Sequence, residues 1–139
     1  MLFASTRQPE RTVTVAQAIE RGLADDGGLF VPVRLPEFAA GELGAPTPLK
    51  DVAARVLAPF FADDPLQSAL AQLAADAFDF PAPLTPLRGG AESVEVLELF
   101  HGPTVAFKDF GARFLAACLE RLQPRCQPLT LYGDRKSVV

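Results

Sequence analysis

Apolar residues at helical spacing predict a helix near the start of the chain. Thr14 and Gln17 form a capping box, in which each side chain bonds a free amide of the other residue at a helix start. We expect this helix to end at Gly22 or at the cluster of Asp and Gly over residues 25–28, because glycine favours the left-handed backbone that closes a helix. Residues 1–13 predict a strand or an extended arm, and residues 29–32 predict a short edge strand or an extended segment closed by proline.

Two further helices are predicted before residue 80. One opens near Lys50 and is kinked or ended by Pro59. The other opens with Asp64 as N-cap and Pro65 at the first helical position. Their apolar positions at helical spacing are Val52, Val56, Leu57, Phe60, Leu66, Leu70, Leu73 and Ala77. We expect these side chains to face the core.

The second part of the chain predicts a connector followed by strand, helix and strand. Residues 80–87 hold three prolines, so we expect a connector without a regular ladder of hydrogen bonds. Residues 94–100 begin with alternating apolar and polar residues and then become more continuously apolar, which is typical of a partly buried strand. A helix across about residues 107–123 and a short strand at 128–132 follow.

This order of elements predicts a mixed α/β or α+β protein. A helical amino-terminal unit precedes the opening strand–helix–strand of an α/β layer. We place a domain boundary in the proline-rich connector, which gives one domain over residues 1–93 and the start of a second over residues 94–139.

Composition excludes several classes of function. The net charge is −4, and no cluster of Lys and Arg offers a nucleic-acid surface. The amino terminus lacks a secretory signal, and no apolar window reaches the roughly 18 residues of a membrane span. Cys118 and Cys126 lack the spacing of zinc ligands, so we expect reduced thiols and no metal site. These observations favour a cytoplasmic protein.

One lysine stands in a setting that suits covalent chemistry. Lys108 lies between Phe107 and Phe110, at the predicted start of a helix. Burial among aromatic rings and the positive end of the helix dipole disfavour the charged ammonium, and a neutral amine can attack a carbonyl carbon. Asp109 opposes this effect where its carboxylate faces the amine. The alternative is an ordinary solvated lysine in the first turn of a helix.

The run over residues 98–111, ELFHGPTVAFKDFG, resembles the cofactor-lysine segment of the threonine synthase family. Members of this family have the type II fold of enzymes that depend on pyridoxal 5′-phosphate (PLP). Residues 16–23, 26–38 and 78–84 resemble the amino-terminal domain of the same family. The resemblance extends over about residues 5–131 and implies that residues 94–139 begin the PLP-binding domain.

The resemblance implies the conversion of O-phospho-L-homoserine and water to L-threonine and phosphate. Lys108 matches the lysine that binds PLP and moves protons during the reaction. Asp109 and Phe110 lie beside the lysine, where they are candidates to set its orientation. Asp109 is also a candidate to bind the cofactor, and His101 and Thr104, in the preceding turn, are candidates to bind cofactor or substrate. The alternatives are that Thr104 caps the following helix and that His101 is a turn residue bonded to the backbone.

The family's phosphate-binding loop, of the form Ser-Gly-Asp-Thr-Gly, is represented here only by Gly133 and Asp134. We therefore expect a truncated fragment that binds PLP weakly and is not active alone. A second interpretation is a non-catalytic interaction module that pairs with another chain, or with itself, through the strand edge at residues 129–132. A third is another type II PLP enzyme, such as a β-replacing synthase or a dehydratase, which the match at residues 26–32 disfavours.

Overall fold

The computed structural model describes residues 1–42, 48–87 and 94–122. The strands in these ranges are β1 (Leu2–Ser5), β2 (Thr12–Thr14), β3 (Phe30–Pro32), β4 (Leu84–Pro86) and β5 (Glu95–Leu97). The helices are α1 (Val15–Arg21), α2 (Leu49–Leu57), α3 (Leu70–Ala77) and α4 (Lys108–Leu122), with short 3-10 segments at Ala58–Phe61 and Gln67–Ala69. The mixture of helices and antiparallel strands confirms the predicted fold class. The strand predicted at 128–132 lies outside the described residues.

A three-stranded antiparallel sheet forms from the first thirty-two residues, in the order β2-β1-β3. Phe3 in the central strand lies opposite Val13 on one side and Pro32 on the other. Pro32 is tolerated because β3 is an edge strand, where a missing amide donor costs little. The predicted extended arm is therefore the strand pair β1 and β2, and the predicted edge strand is confirmed.

Helix α1 begins and ends where the sequence predicts. Thr14 Oγ1 accepts a hydrogen bond from Gln17 N at 3.2 Å, and Gln17 Oε1 accepts one from Thr14 N at 3.0 Å, which completes the capping box. Gly22 closes the helix with φ of 72°, and its amide donates to Ala18 O at 3.0 Å. The positive φ explains the glycine.

The prediction of α2 as a helix that ends before Pro59 is confirmed, although none of its residues is fully buried. The predicted start of the next helix is wrong. Pro59 ends the α-helical pattern, since residues 58–61 continue as a 3-10 turn. Helix α3 begins at Leu70, six residues after Asp64. Asp64 is buried and bonds two different segments, since its carboxylate accepts from Leu66 N at 2.9 Å and from Ala16 N in α1 at 3.0 Å. The aspartate therefore caps α1 from a distant part of the chain.

The proline-rich connector contains a strand, contrary to the sequence prediction. Leu87 N donates to Val94 O at 2.9 Å, and Glu98 N donates to Pro83 O at 2.9 Å. Pro83 takes part in this ladder only through its carbonyl oxygen, which accepts the hydrogen bond from Glu98 N. Pro86 lies at the intervening position, where an antiparallel strand turns its amide away from the partner. The spacing of the prolines therefore permits β4.

Strand β5 is exposed, so the partial burial expected for it is wrong. All three of its residues are exposed, and so are the three residues of β4 with which it pairs. The two strands form a two-stranded ribbon, so β5 has no second strand neighbour within the described residues.

The core lies between α1, α3, α4 and the 3-10 turn after α2. Its buried residues are Val15, Ala16, Phe61, Leu66, Leu70, Leu73 and Cys118. Helix α4 is thus part of the same core as the amino-terminal helices, and β4 and β5 pair across the boundary predicted at residue 93. The division into two domains stays a prediction. Burial raises the pKa of the Cys118 thiol to about 11, which keeps this free cysteine protonated.

Candidate functional site

The site is built at the start of α4, whose orientation is fixed by packing against α3. Phe110 lies edge-on to Phe80 with ring centroids 5.0 Å apart, and Phe114 stacks on Phe78 at 5.8 Å. These rings occupy positions 110 and 114, one helical turn apart, and Cys118 continues the stripe, as the sequence predicts. This stripe, in which the two rings are half-buried and Cys118 is buried, holds the axis of α4 and therefore the place of its first residue, Lys108.

Arg113 fixes the same helix by a second route. Its Nε donates to Ala77 O at 2.9 Å and its Nη2 to Asp76 O at 2.8 Å, at the carboxyl end of α3. The guanidinium also pairs with Asp79 at 2.8 Å and lies over the Phe80 ring at 5.8 Å. A cation at a helix carboxyl terminus is favoured by the helix dipole. Sequence reasoning missed Arg113, because nothing local to it indicates that carbonyls 36 and 37 residues earlier are its partners.

Lys108 is the first residue of α4 and its side chain is exposed. Phe107, which was expected to shield the amine, is itself 68% exposed. The aromatic enclosure expected from the sequence is therefore absent from the described residues.

The turn before α4 contains a strained residue. Val105 has φ of 56°, in the left-handed region that β-branched residues rarely occupy. Its amide donates to Gly102 O at 3.0 Å, which closes a turn over residues 102–105. Strain of this kind persists only where the surroundings fix the backbone, and it is concentrated at functional sites.

Thr104 and Asp109 hold this turn against the helix. Thr104 N donates to Asp109 Oδ2 at 2.8 Å, and Thr104 Oγ1 donates to Asp109 Oδ1 at 2.6 Å. The hydroxyl of Thr104 is the largest influence that holds the pKa of Asp109 below its usual range, followed by burial, which acts in the opposite direction. The alternative in which Thr104 caps α4 is wrong, because its hydroxyl serves Asp109 instead.

Gly102 lies against the carboxylate of Asp109. A Cβ at position 102 would stand 2.4 Å from Asp109 Oδ2 and 2.6 Å from Asp109 Cβ. Only glycine leaves room for this contact, which agrees with the tight turn expected from the Gly-Pro sequence.

His101 is engaged by a carboxylate rather than by the backbone. Its Nε2 lies 2.6 Å from Glu98 Oε2, and its ring stacks on Phe100 with centroids 4.7 Å apart. Hydrogen bonds from Thr85, the larger influence, and from His101 lower the pKa of Glu98. The expected turn histidine bonded to the backbone is therefore wrong. The sequence offered a signal for Glu98, which stands three residues before His101.

The four predicted site residues thus fall into two groups. Thr104 and Asp109 contact each other at the start of α4, the helix whose first residue is Lys108, whereas His101 belongs to a pair with Glu98 beside β5. Within residues 1–42, 48–87 and 94–122, no group of three or more His, Cys, Asp and Glu side chains is placed to hold a metal ion. In the same part of the chain, no helix combines the length and the apolar character needed to cross a bilayer.

The chain matches known proteins in both sequence and fold. A family model for the threonine synthase N terminus matches residues 2–78. The threonine synthase of Serratia marcescens is 41% identical over 133 residues, which cover 94% of this chain and 30% of the relative. The crystal structure of yeast threonine synthase matches with a TM-score of 0.80 at 32% identity, over 89% of this chain and 26% of that chain. The structure of PLP-bound threonine synthase from Brucella melitensis matches with a TM-score of 0.76 at 32% identity, over 90% of this chain and 28% of that chain. The chain therefore spans about 30% of the length of its curated relative.

Proposed function

Because the chain belongs to the threonine synthase family, we propose that it supplies the amino-terminal portion of an enzyme that makes L-threonine and phosphate from O-phospho-L-homoserine and water. The observation that carries the proposal is the family match over residues 2–78, followed in the same chain by an accessible lysine at the start of α4. The family match supports this reaction over those of other type II PLP enzymes. We place the protein in the cytoplasm.

The proposed cofactor is PLP, which a related structure from Brucella melitensis contains. The donor chemistry of this chain fits the aldehyde end of PLP, because Lys108 offers an exposed primary amine. PLP, when bound, supplies the electron sink that stabilises negative charge beside the amino-bearing carbon of the substrate. The phosphate end would be held by residues beyond the described ranges.

The proposed roles of the chain's own residues follow from their positions. Lys108 Nζ would bind the cofactor and then accept and return protons at the substrate carbons. Its side chain is exposed on the first turn of α4. His101 would contact cofactor or substrate from its place beside β5, with its ring held by Glu98. Thr104 and Asp109 would support the turn between them.

The experiment compares two exposed first-turn lysines within one chain. Lys50 is the second residue of α2 and Lys108 is the first residue of α4, so Lys50 represents the ordinary solvated lysine. The purified chain is mixed with PLP, reduced with borohydride and digested, and labelled peptides are quantified by mass spectrometry. We expect Lys108 to carry most of the label. Equal labelling of Lys50 and Lys108 would overturn the proposal.

The same sample tests whether the chain binds the cofactor weakly. Without reduction, we expect the visible absorbance of the chain mixed with PLP to disappear on dialysis, since the phosphate-binding loop of the family is represented by only two residues. Lys108→Arg should abolish the initial absorbance, and Lys50→Arg should leave it unchanged. Absorbance that survives dialysis and depends on Lys108 would overturn the expectation of weak binding.

A second candidate function, an interaction module, is favoured by the exposed apolar surface of the β4–β5 ribbon. Its exposed apolar residues are Leu84, Leu87, Val94, Val96 and Leu97. We propose the carboxyl-terminal portion of a threonine synthase as the partner, because the chain belongs to this family and an exposed apolar ribbon is stabilised by burial against another apolar surface. Mixing the chain with the remaining portion of the Serratia marcescens enzyme should give a complex by size-exclusion chromatography, and Val96→Lys should weaken it. Two unchanged separate peaks would exclude this function.

A further inference from the structure

We propose that Asp109 is a positioning residue for Lys108 and that it acts through Thr104 rather than by binding cofactor or substrate. This inference rests on the proposed function, since it assigns to Lys108 the role of the reactive amine. Of the two tasks expected for Asp109 from its place beside the lysine, orienting the amine and binding the cofactor, the inference assigns the first and adds the contact with Thr104 through which it acts.

The first argument is direction. Asp109 is only 4% exposed, whereas Lys108, its neighbour on the same helix, is exposed. Successive side chains of an α-helix diverge by about 100°, so one residue can face inward while the next faces out. The carboxylate of Asp109 is therefore turned into the preceding turn and away from the face that carries the amine.

The second argument is occupancy. Each carboxylate oxygen of Asp109 already accepts a hydrogen bond from Thr104, at 2.6 and 2.8 Å. Bonds from a neutral donor to a carboxylate are stronger than those between neutral groups. A ligand that used Asp109 would have to displace them. The carboxylate is consequently a structural acceptor for the turn.

The third argument is the packing of Gly102. The space that a Cβ would fill at this position is taken by Asp109 Oδ2 and Cγ, at 2.4 and 2.8 Å. The turn therefore contacts the Asp109 carboxylate on two sides. Thr104 donates hydrogen bonds to it, and the backbone of Gly102 packs closely against it.

The fourth argument is the strain that the pair holds in place. Val105 lies directly after Thr104 with φ of 56°, a conformation that its side chain opposes. Because Thr104 is bonded to the first turn of α4 through both its amide and its hydroxyl, the backbone immediately before Val105 is fixed. Release of these bonds would let the turn relax and would move the chain that enters α4 at Lys108.

The test measures the selectivity of labelling at Lys108 relative to Lys50 in the full chain, with PLP and borohydride as above. Asp109→Asn replaces one of the two carboxylate oxygens with an NH2 group. This group would face a hydrogen-bond donor of Thr104 instead of accepting from it. We expect the preference for Lys108 to fall about tenfold, the scale on which one hydrogen bond to a charged group acts. Thr104→Val removes the hydroxyl at similar volume and should act in the same direction. Thr104→Ser keeps the hydroxyl and should restore most of the preference.

The outcomes separate this inference from the proposed function. No preference for Lys108 in the unmodified chain would overturn both proposals together. A preference that survives both Asp109→Asn and Thr104→Val, in chains whose circular dichroism matches the parent, would overturn the positioning role alone. Because Thr104 is exposed, Thr104→Val decides the question where Asp109→Asn fails to fold. Loss of preference in Thr104→Ser as well as in Thr104→Val would also contradict the inference, since the hydroxyl would then not be the cause.

Discussion

Thr104 and Asp109 lie five residues apart and are joined by two hydrogen bonds, one to each oxygen of the carboxylate. The pair spans the point at which an irregular turn becomes helix α4. An aspartate in the first turn of a helix is favoured by the helix dipole, and here it also secures the segment that leads into that helix. The bond pair thereby couples the geometry of the turn to that of the helix.

This coupling predicts a pH dependence of stability. The pKa of Asp109 is lower in the folded chain than in the unfolded chain, chiefly because Thr104 donates to the charged form. Its contribution to the free energy of unfolding is therefore complete above the ordinary carboxyl pKa of about 3.9 and is lost as the pH falls through the folded value. We expect Asp109→Asn to destabilise the chain strongly at pH about 7 and much less at pH about 3. Urea unfolding followed by circular dichroism measures both differences.

Asp51 provides the matched control. It is the acidic residue in the first turn of α2, as Asp109 is in the first turn of α4, but its side chain is exposed. Exposed charges contribute little to stability, so we expect Asp51→Asn to produce small changes at both pH values. A loss in Asp109→Asn that is the same at both pH values would contradict the assignment of the effect to the charged carboxylate.

Two glycines of the same motif should respond to alanine in opposite directions. Gly102→Ala places a methyl group 2.4 Å from Asp109 Oδ2, so we expect a loss of about 1–3 kcal/mol, as in other overpacked sites. Gly111 lies within α4 with no atom within 4 Å of its added Cβ. Gly111→Ala should therefore stabilise the chain by about 0.5–1 kcal/mol through lower entropy of the unfolded chain and higher helix propensity. Thermal unfolding of both variants measures the two changes in stability. If both variants were stabilised, or both destabilised, the argument from the space around each glycine would be contradicted.

Local signals made much of the fold predictable. The capping box of Thr14 and Gln17 and the terminating Gly22 are set by residues within one or two turns of each other, so the sequence contains the complete cause. Helix α4 was equally predictable, since its apolar residues repeat at helical spacing from Phe110 to Leu122. The place of Lys108 at the start of this helix followed from the same pattern.

The features that were not predictable depend on partners distant in the chain. Asp64 resembles a local N-cap, but one of its two oxygens is used by Ala16, 48 residues earlier. The burial of Lys108 was inferred from its two aromatic neighbours, yet Phe110 packs inward while Phe107 faces out. Spacing along the sequence shows which residues are neighbours on the same helix. It does not show which face of that helix another element covers.

The backbone strain at Val105 predicts a stabilising substitution. Asparagine tolerates the left-handed region far better than valine, and Val105 is 70% exposed, so its side chain contributes little to packing. We expect Val105→Asn to raise the free energy of unfolding by about 1 kcal/mol. Val94→Asn is the control, because it replaces an exposed valine for which no positive φ occurs. Thermal unfolding distinguishes them. An equal response of the two variants would exclude strain at position 105 as the cause.

We expect replacement of Asp64 to cause a larger loss of stability than the other replacements of polar residues above. The carboxylate accepts from Ala16 N in α1 and from Leu66 N, and it is buried beside the core. Asp64→Ala leaves both buried amides without an acceptor, so we expect a loss of about 3 kcal/mol in the free energy of unfolding. Thr14→Ala is the matched comparison, because it removes the exposed cap of the same helix at a cost of about 1 kcal/mol. Urea unfolding at neutral pH ranks the two. Asp64 differs from Thr14 in that it is buried and accepts hydrogen bonds from two amides, those of Ala16 and Leu66. If Asp64→Ala lost no more stability than Thr14→Ala, water would have to satisfy these two amides in the variant.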